Sequence, residues 1–184
     1  LTLNHGVDQL TGEKTGLDLG DLTTYKTFEE LEEAYAKQID HFSDRMVTCI
    51  TQVEKMHELL LPTPFLSAVI DDCLTRGMDV TQGGARYNFA GVQAIQIANV
   101  ADSLAAIKLL VYDEKKLSAQ ELLHALQTNF EDAPLVRTML LNKVPKYGND
   151  VPWVDELGAK WVNYFADGLR KYRNARGGIY QMGL

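Results

Sequence analysis

The chain has 184 residues, of which 46% are hydrophobic and 23% charged, and its formal net charge is −7 with the four histidines counted as neutral. This length fits one hydrophobic core and is short for two independent domains. The acidic balance argues against nucleic acid or an anionic membrane surface as the main partner, because both require a basic surface. No run approaches the roughly 18 apolar residues of a membrane-spanning helix.

The two cysteines, Cys49 and Cys73, allow at most one disulfide. We therefore expect two buried free thiols and a cytoplasmic location, where thiols stay reduced. The first residues lack the basic region and the apolar core of a secretory signal. The chain begins with Leu1 and its last residues read as a strand that stops short, so we expect a segment of a longer polypeptide.

A long helix is the clearest predicted element. Apolar residues recur every three or four positions over 28–60, a spacing typical of one amphipathic helix. Thr27 and Glu30 form a capping-box pattern at its start. Pro62 follows its end, and residues 65–76 predict a second helix.

Shorter elements follow. Gly77 is predicted to cap the second helix, residues 80–91 to form a strand and loop, and residues 100–111 to form a helix rich in small residues. The remaining predicted elements are a helix over 118–129, which Ser118 and Glu121 open with a second capping-box pattern, a helix over 132–142, a helix from Pro152 that ends at Gly177–Gly178, and a final strand. One face of the helix from Pro152 carries the apolar residues Val154, Leu157, Trp161, Phe165, Leu169 and Tyr172. This order fits outer helices around an inner sheet or barrel.

The segment Gly83–Gly91 contains several polar and aromatic residues that could line a binding site. On a strand, Arg86 and Asn88 would share one face, with Tyr87 and Phe89 on the other. The guanidinium and the carboxamide could face a cavity, or they could satisfy buried backbone groups at the end of a barrel. The sequence leaves both alternatives open.

Two pairs of polar residues are predicted as structural caps. Asp102 and Ser103 stand near the start of the helix predicted over 100–111, where a cap gains from the helix dipole. Asn149 and Asp150 lie in a turn and are predicted to cap the helix that follows.

No metal, phosphate or nucleophile motif is present. The four histidines are far apart, and none stands at ligand spacing with a cysteine or a carboxylate, so no metal site is predicted. The paired glycines near position 83 lack the lysine of a phosphate loop, and no serine lies in a nucleophile elbow. Asp71 and Asp72 would weaken Cys73 as a thiolate, and we expect one of them to anchor a neighbouring loop.

Several segments together resemble the glycyl radical enzymes related to pyruvate formate-lyase. The matching segments, in order, are Leu3–Gly6, Asp71–Cys73, Gly83–Gly91, Ala101–Lys108 and Tyr147–Asp150. The resemblance covers nearly the whole chain. The Gly-Gly-Ala-Arg-Tyr-Asn form is more similar to the dehydratase and lyase branch, which acts on glycerol, choline and related molecules.

The resemblance implies an α/β fold, mainly helical with short strands, that forms part of a ten-stranded α/β barrel around a buried cavity. It implies that an activating enzyme with an iron–sulfur cluster and S-adenosylmethionine installs a radical on a glycine. This glycyl radical generates a cysteine thiyl radical, which abstracts hydrogen from a small polar substrate. Elimination of water or an amine, or cleavage of a carbon–carbon bond, then follows. A dry cavity protects the radicals. The parent enzyme is expected to be an anaerobic, cytoplasmic homodimer.

This chain lacks the family's radical residues. The thiyl cysteine of the family lies in Gly-Cys-X-Glu-Pro, whereas Cys49 is followed by Ile-Thr and Cys73 by Leu-Thr. Arg176–Tyr180 is superficially similar to the glycyl loop but precedes a predicted barrel strand. The resemblance therefore implies that residues 1–184 are one segment of a pyruvate formate-lyase-like domain. The segment would have no cofactor of its own and would be inactive alone.

Residues of the last strand are the first candidates for the substrate cavity. Tyr180 or Gln181 could bind a substrate hydroxyl, with strand packing as the alternative, and Arg86 and Asn88 come next. Two other functions stay open. One is the formate C-acetyltransferase reaction of the same family, which needs two adjacent cysteines outside this chain. The other is a non-catalytic helical interaction module, which the acidic surface and the long helix permit.

Overall fold

The computed structural model describes residues 1–183 and is mainly helical. Its elements are α1 (Phe28–Leu60), α2 (Pro64–Ser67), α3 (Cys73–Arg76), a 3-10 turn (Val80–Gln82), β1 (Ala90–Gln93), α4 (Ile97–Ile107), a π-helix (Lys108–Asp113), α5 (Ala119–Gln127), α6 (Pro134–Asn142), α7 (Pro152–Leu169) and β2 (Tyr180–Gly183). None of the helices in this described part is both long and apolar enough to cross a membrane.

The chain divides into two compact units. Unit 1 comprises Leu1–Phe42 and Gln96–Asn163, and unit 2 comprises Ser43–Ile95 and Tyr164–Leu184. Helices α1 and α7 each contribute residues to both units. Both strands belong to unit 2.

The two capping boxes predicted helix starts well. Helix α1 runs unbroken, and Thr27 Oγ1 accepts a hydrogen bond from the Glu30 amide at 3.3 Å. The Glu30 carboxylate accepts from the Lys26 amide at 2.6 Å, one residue before the expected donor. At the start of α5, Ser118 and Glu121 form the full reciprocal box.

Unit 1 has a core built by α1, α4, the π-helix and α7. Leu31, Leu110 and Val154 are among its fully buried side chains. Tyr35 packs edge-on against Trp161, with ring centroids 4.6 Å apart. The predicted face of α7 is therefore confirmed in this unit, although the helix ends at Leu169 rather than at the paired glycines.

Unit 2 departs from the predicted elements between α1 and β1. The single helix predicted over 65–76 is wrong: α2 ends at Ser67, residues 68–72 form turns, and Asp72, with a φ of 75°, immediately precedes α3. Gly77 does cap α3, with a φ of 62° that favours glycine. Cys73 is buried as expected, but Cys49 is exposed on α1; both thiols are free.

Candidate functional site on the parallel sheet

Strands β1 and β2 form a parallel pair, and this pair is the candidate site. Ala90 lies beside Tyr180, Gly91 beside Gln181, Val92 beside Met182 and Gln93 beside Gly183. The Ala90 amide donates to the Ile179 carbonyl at 3.1 Å, which begins the ladder. Side chains alternate between the two faces of such a pair.

One face of the pair packs on helices. Ala90, Val92 and Tyr180 are buried there against Leu169 of α7. The other hydrophobic residues packed against this cluster are Met46, Val47 and Ile50 of α1 together with Phe165, Tyr172 and Met182. We call this side the helix face.

Tyr180 belongs to the helix face. It is 2% exposed, and its ring meets the ring of Tyr172 edge-on at 6.3 Å. Within residues 1–183 its hydroxyl has no hydrogen-bond partner, and burial raises the pKa of the phenol. This orientation favours strand packing over substrate contact for Tyr180.

The opposite side, which we call the open face, carries Gly91, Gln93, Gln181 and Gly183. Both glutamine side chains are exposed. Within the described residues, neither carboxamide has a hydrogen-bond partner. The Gln93 carboxamide lies over Gly183, since a Cβ added there would be 3.0 Å from Gln93 Nε2. The open face thus pairs each glutamine with a glycine on the neighbouring strand.

Arg86 lies in the loop before β1, not on a strand, and the prediction that residues 86–89 form a strand is wrong. Its guanidinium donates to both oxygens of Asp72, from Nε at 3.2 Å and from an Nη at 3.1 Å. These bonds hold the pKa of the Asp72 carboxyl below its usual value. Asp72 is therefore a loop anchor, as expected for one of the two aspartates.

Asn88 satisfies backbone groups of the same loop. Its Nδ2 donates to the Gly83 carbonyl at 3.2 Å and to the Ala85 carbonyl at 2.9 Å. This is the second of the two alternatives that the sequence left open. Tyr87 and Phe89 are exposed on this loop and stack with centroids 5.8 Å apart.

A buried asparagine that the sequence does not signal joins the two segments that precede β1 and β2. Asn174 is 5% exposed, and its Nδ2 donates to the Asn88 carbonyl at 2.6 Å. Its Oδ1 accepts from the amides of Arg176 at 3.1 Å and Gly178 at 2.8 Å. The turn that resembled a glycyl loop is thus fixed by Asn174 at the start of β2.

Arg176 adds a second tie between these segments. Its guanidinium donates to Glu54 Oε1 on α1 at 3.0 Å and to the Phe89 carbonyl at 3.1 Å. The other Glu54 oxygen accepts from the Ala175 amide at 2.8 Å. No local pattern in the sequence predicts this cluster, because Glu54, Asn88 and Phe89 lie about 90 to 120 residues away from Asn174–Arg176.

Asp102 and Ser103 do not cap a helix, which corrects the prediction. Helix α4 begins at Ile97, so both residues lie in its interior. Asp102 Oδ1 instead accepts from the Tyr147 amide at 2.7 Å and anchors the turn that precedes α7.

The predicted caps of α7 stay a prediction. Asn149 and Asp150 are exposed just before the helix, which begins at Pro152 as expected. The Gly148 amide of this turn donates to Asp155 in the first turn of α7 at 2.7 Å. Nowhere in residues 1–183 do three or more His, Cys, Asp or Glu side chains form a group that could hold a metal ion.

Known proteins resemble this chain along its whole length. Trans-4-hydroxy-L-proline dehydratase of Clostridioides difficile is 35% identical over 184 residues, which are 100% of this chain and 23% of that protein. The solved structure of the glycerol-bound B12-independent glycerol dehydratase from Clostridium butyricum superposes with a TM-score of 0.93 at 35% identity, covering 100% of this chain and 23% of that one. A glycyl radical enzyme from Archaeoglobus fulgidus gives a TM-score of 0.90 at 34% identity, with 99% and 23% covered.

The chain spans about a quarter of the length of these relatives. The family model described as Pyruvate formate lyase-like matches residues 1–184. The resemblance inferred from the ordered segments is therefore confirmed, and the chain belongs to the pyruvate formate lyase-like family of glycyl radical enzymes.

Proposed function

We propose that this chain forms part of the wall of a ten-stranded α/β barrel in a glycyl radical dehydratase or lyase. The whole enzyme would eliminate water or an amine from a small polar substrate. The proposal is supported by the likeness to dehydratases along the whole of this chain. It is also supported by the parallel strand pair, which has helices on one face only.

The sheet itself supports a larger assembly. Parallel sheets are almost always covered on both faces. Here β1 and β2 have one covered face and one open face. They fit as two neighbouring strands of a barrel, with α1 and α7 on the outside of the barrel and the open face lining its interior.

The radical chemistry would come from outside these residues. Cys49 is exposed on α1, and Cys73 is buried at the start of α3, so neither thiol lies on the open face. Gly177 and Gly178 sit in the turn held by Asn174. We assign no reaction step to these groups; this segment would shape the cavity and exclude water from it.

The partners follow from the same proposal. The parent polypeptide would supply the thiyl and glycyl residues and the remaining strands. A separate S-adenosylmethionine enzyme with an iron–sulfur cluster would install the radical. The parent would act as a cytoplasmic homodimer without oxygen.

The test is electron paramagnetic resonance of the full-length parent, co-expressed anaerobically with its activating enzyme. A doublet from a glycyl radical is expected, and it should be absent when the activating enzyme is omitted. Activity is then measured with trans-4-hydroxy-L-proline, glycerol and 1,2-propanediol, and with pyruvate plus coenzyme A for the acyl-transfer alternative. The absence of a glycyl radical signal, with an activating enzyme shown to be functional, would contradict the proposal.

A further inference from the structure

We propose that Gln93 and Gln181 are specificity-determining residues that bind the oxygen groups of a small hydroxylated substrate. This inference rests on the proposed function and deepens it. It moves the substrate contact from Tyr180, which packs on the helices, to the two carboxamides of the open face.

The two glutamines can reach one small molecule. Gln181 lies beside Gly91, and Gln93 is two residues further along the neighbouring strand on the same face. Strands stand about 4.8 Å apart and rise about 3.3 Å per residue, so the two Cα atoms are roughly 8 Å apart. A molecule of a few carbon atoms between them could touch both side chains.

Their place along the strands is where ligands bind. Gln93 is the last residue of β1, and Gln181 lies within the four-residue strand β2. In parallel sheets with helices, ligands bind outside the carboxyl ends of the strands, because the loops that follow open there. Gln93 therefore lies at this end, and Gln181, opposite Gly91, lies two residues before it on the same face.

Gly91 is a separate indication that a ligand could come close to the backbone of β1. A Cβ added at Gly91 would meet nothing within 4 Å among the described residues, and its φ lies outside the region that favours glycine. Neither packing nor backbone conformation within this segment therefore explains a glycine here. Glycine inside a strand marks a bulge, a tight bend, or a site where a ligand or another backbone comes close. The unbroken register of β1 with β2 leaves no bulge at Gly91, so the glycine is consistent with close approach of a ligand.

The chemistry suits a hydroxylated molecule rather than an anion alone. Each carboxamide can donate through its NH₂ group and accept through its oxygen, so each can satisfy a hydroxyl that needs both. Neither carboxamide is engaged by another residue in this part of the chain. A dry cavity would make such unpaired groups selective, because a substrate lacking the hydroxyl leaves them unsatisfied.

The location is tested first by thiol labelling of the unactivated full-length protein carrying Gln93→Cys or Gln181→Cys. Both new thiols should react with methyl methanethiosulfonate and resist a bulky polyethylene glycol maleimide, with sites mapped by mass spectrometry. Gln52→Cys, on an exposed position of α1, is the matched control. Reaction with the bulky reagent, or none with the small one, would overturn the inference.

The contact is tested in the activated enzyme with whichever of glycerol, 1,2-propanediol or trans-4-hydroxy-L-proline it converts. Gln93→Leu and Gln181→Leu should each raise KM about tenfold, as expected for one lost hydrogen bond. Spin yield should stay at the wild-type level, and Gln52→Leu should change neither value. Unchanged KM with full spin yield refutes this inference alone, whereas a wild-type enzyme without a radical refutes the proposed function.

Discussion

Replacing Asn174 with alanine should loosen the start of both strands. The side chain makes three hydrogen bonds to backbone groups: one to the Asn88 carbonyl and two from the amides of Arg176 and Gly178. Leaving each buried group unsatisfied costs about 1 kcal/mol or more, so the local opening free energy should fall by about 3 kcal/mol. Exchange of amides governed by that opening should then be roughly 100-fold faster.

Hydrogen–deuterium exchange with mass spectrometry on the full-length parent measures this directly. Peptides that contain the ladder amides of Ala90 and Ala94 should show the effect. Asn149→Ala, at an exposed position, is the control and should leave these peptides unchanged. If Asn174→Ala also left them unchanged, Asn174 would not hold the strands in register.

Four other results are expected. Gly178→Ala should abolish soluble expression of the parent, because the new Cβ would overlap the Asn88 carbonyl oxygen, whereas Gly91→Ala should stay folded. Iodoacetamide should label Cys49 well before Cys73; equal rates would contradict the burial of Cys73. The pKa of the Asp18 carboxyl is lowered to about 2, first by the hydrogen bond from Lys14, so Lys14→Met should raise it in a carboxyl NMR titration. Because the pKa of Asp18 is lower in the folded chain than in the unfolded chain, ionised Asp18 stabilises the fold at pH values above its unfolded pKa, and this stabilisation is lost as the pH falls toward about 2. An unchanged pKa in Lys14→Met would refute the contact. The isolated chain should self-associate in light scattering, since it exposes strand edges and large apolar side chains such as Phe65 and Leu74; a monodisperse protein would favour the helical interaction module.

Local patterns predicted the helices and some of their ends. The three-and-four spacing of apolar residues gave α1 with both bounds, because a helix that packs along one side must repeat its apolar face. Ser118 and Glu121 marked the start of α5 because their hydrogen bonds lie within one turn. Such features depend on neighbours in sequence alone.

Errors arose where conformation departs from residue preference. Helix α4 begins after Gln96, which adopts a left-handed φ of 63° and offers no side-chain cap. The polar pair Asp102 and Ser103 therefore predicts a later start than the structure has. The helix predicted over 65–76 is interrupted by turns over 68–72, and Asp72 at their end also has a positive φ. Neither residue type signals a left-handed backbone as glycine does.

The sequence predicted only one of the two glutamines of the candidate site. The sequence predicts a substrate contact at Tyr180 or Gln181, but which of them faces the helices depends on the pairing of β2 with β1, about 90 residues earlier in the chain. Gln93 gave no signal, because its role follows from that same register. Asn174 was missed for a similar reason, since one of its partners is Asn88.

The central claim is that β1 and β2 are neighbouring strands in the wall of a catalytic barrel. An experimental structure of the full-length parent, purified without oxygen and soaked with glycerol, tests it most directly. We expect further strands on the outer edges of β1 and β2, Gln93 and Gln181 facing an enclosed cavity, and Tyr180 against α1. A helix covering the open face, or bulk solvent in contact with it, would contradict the account.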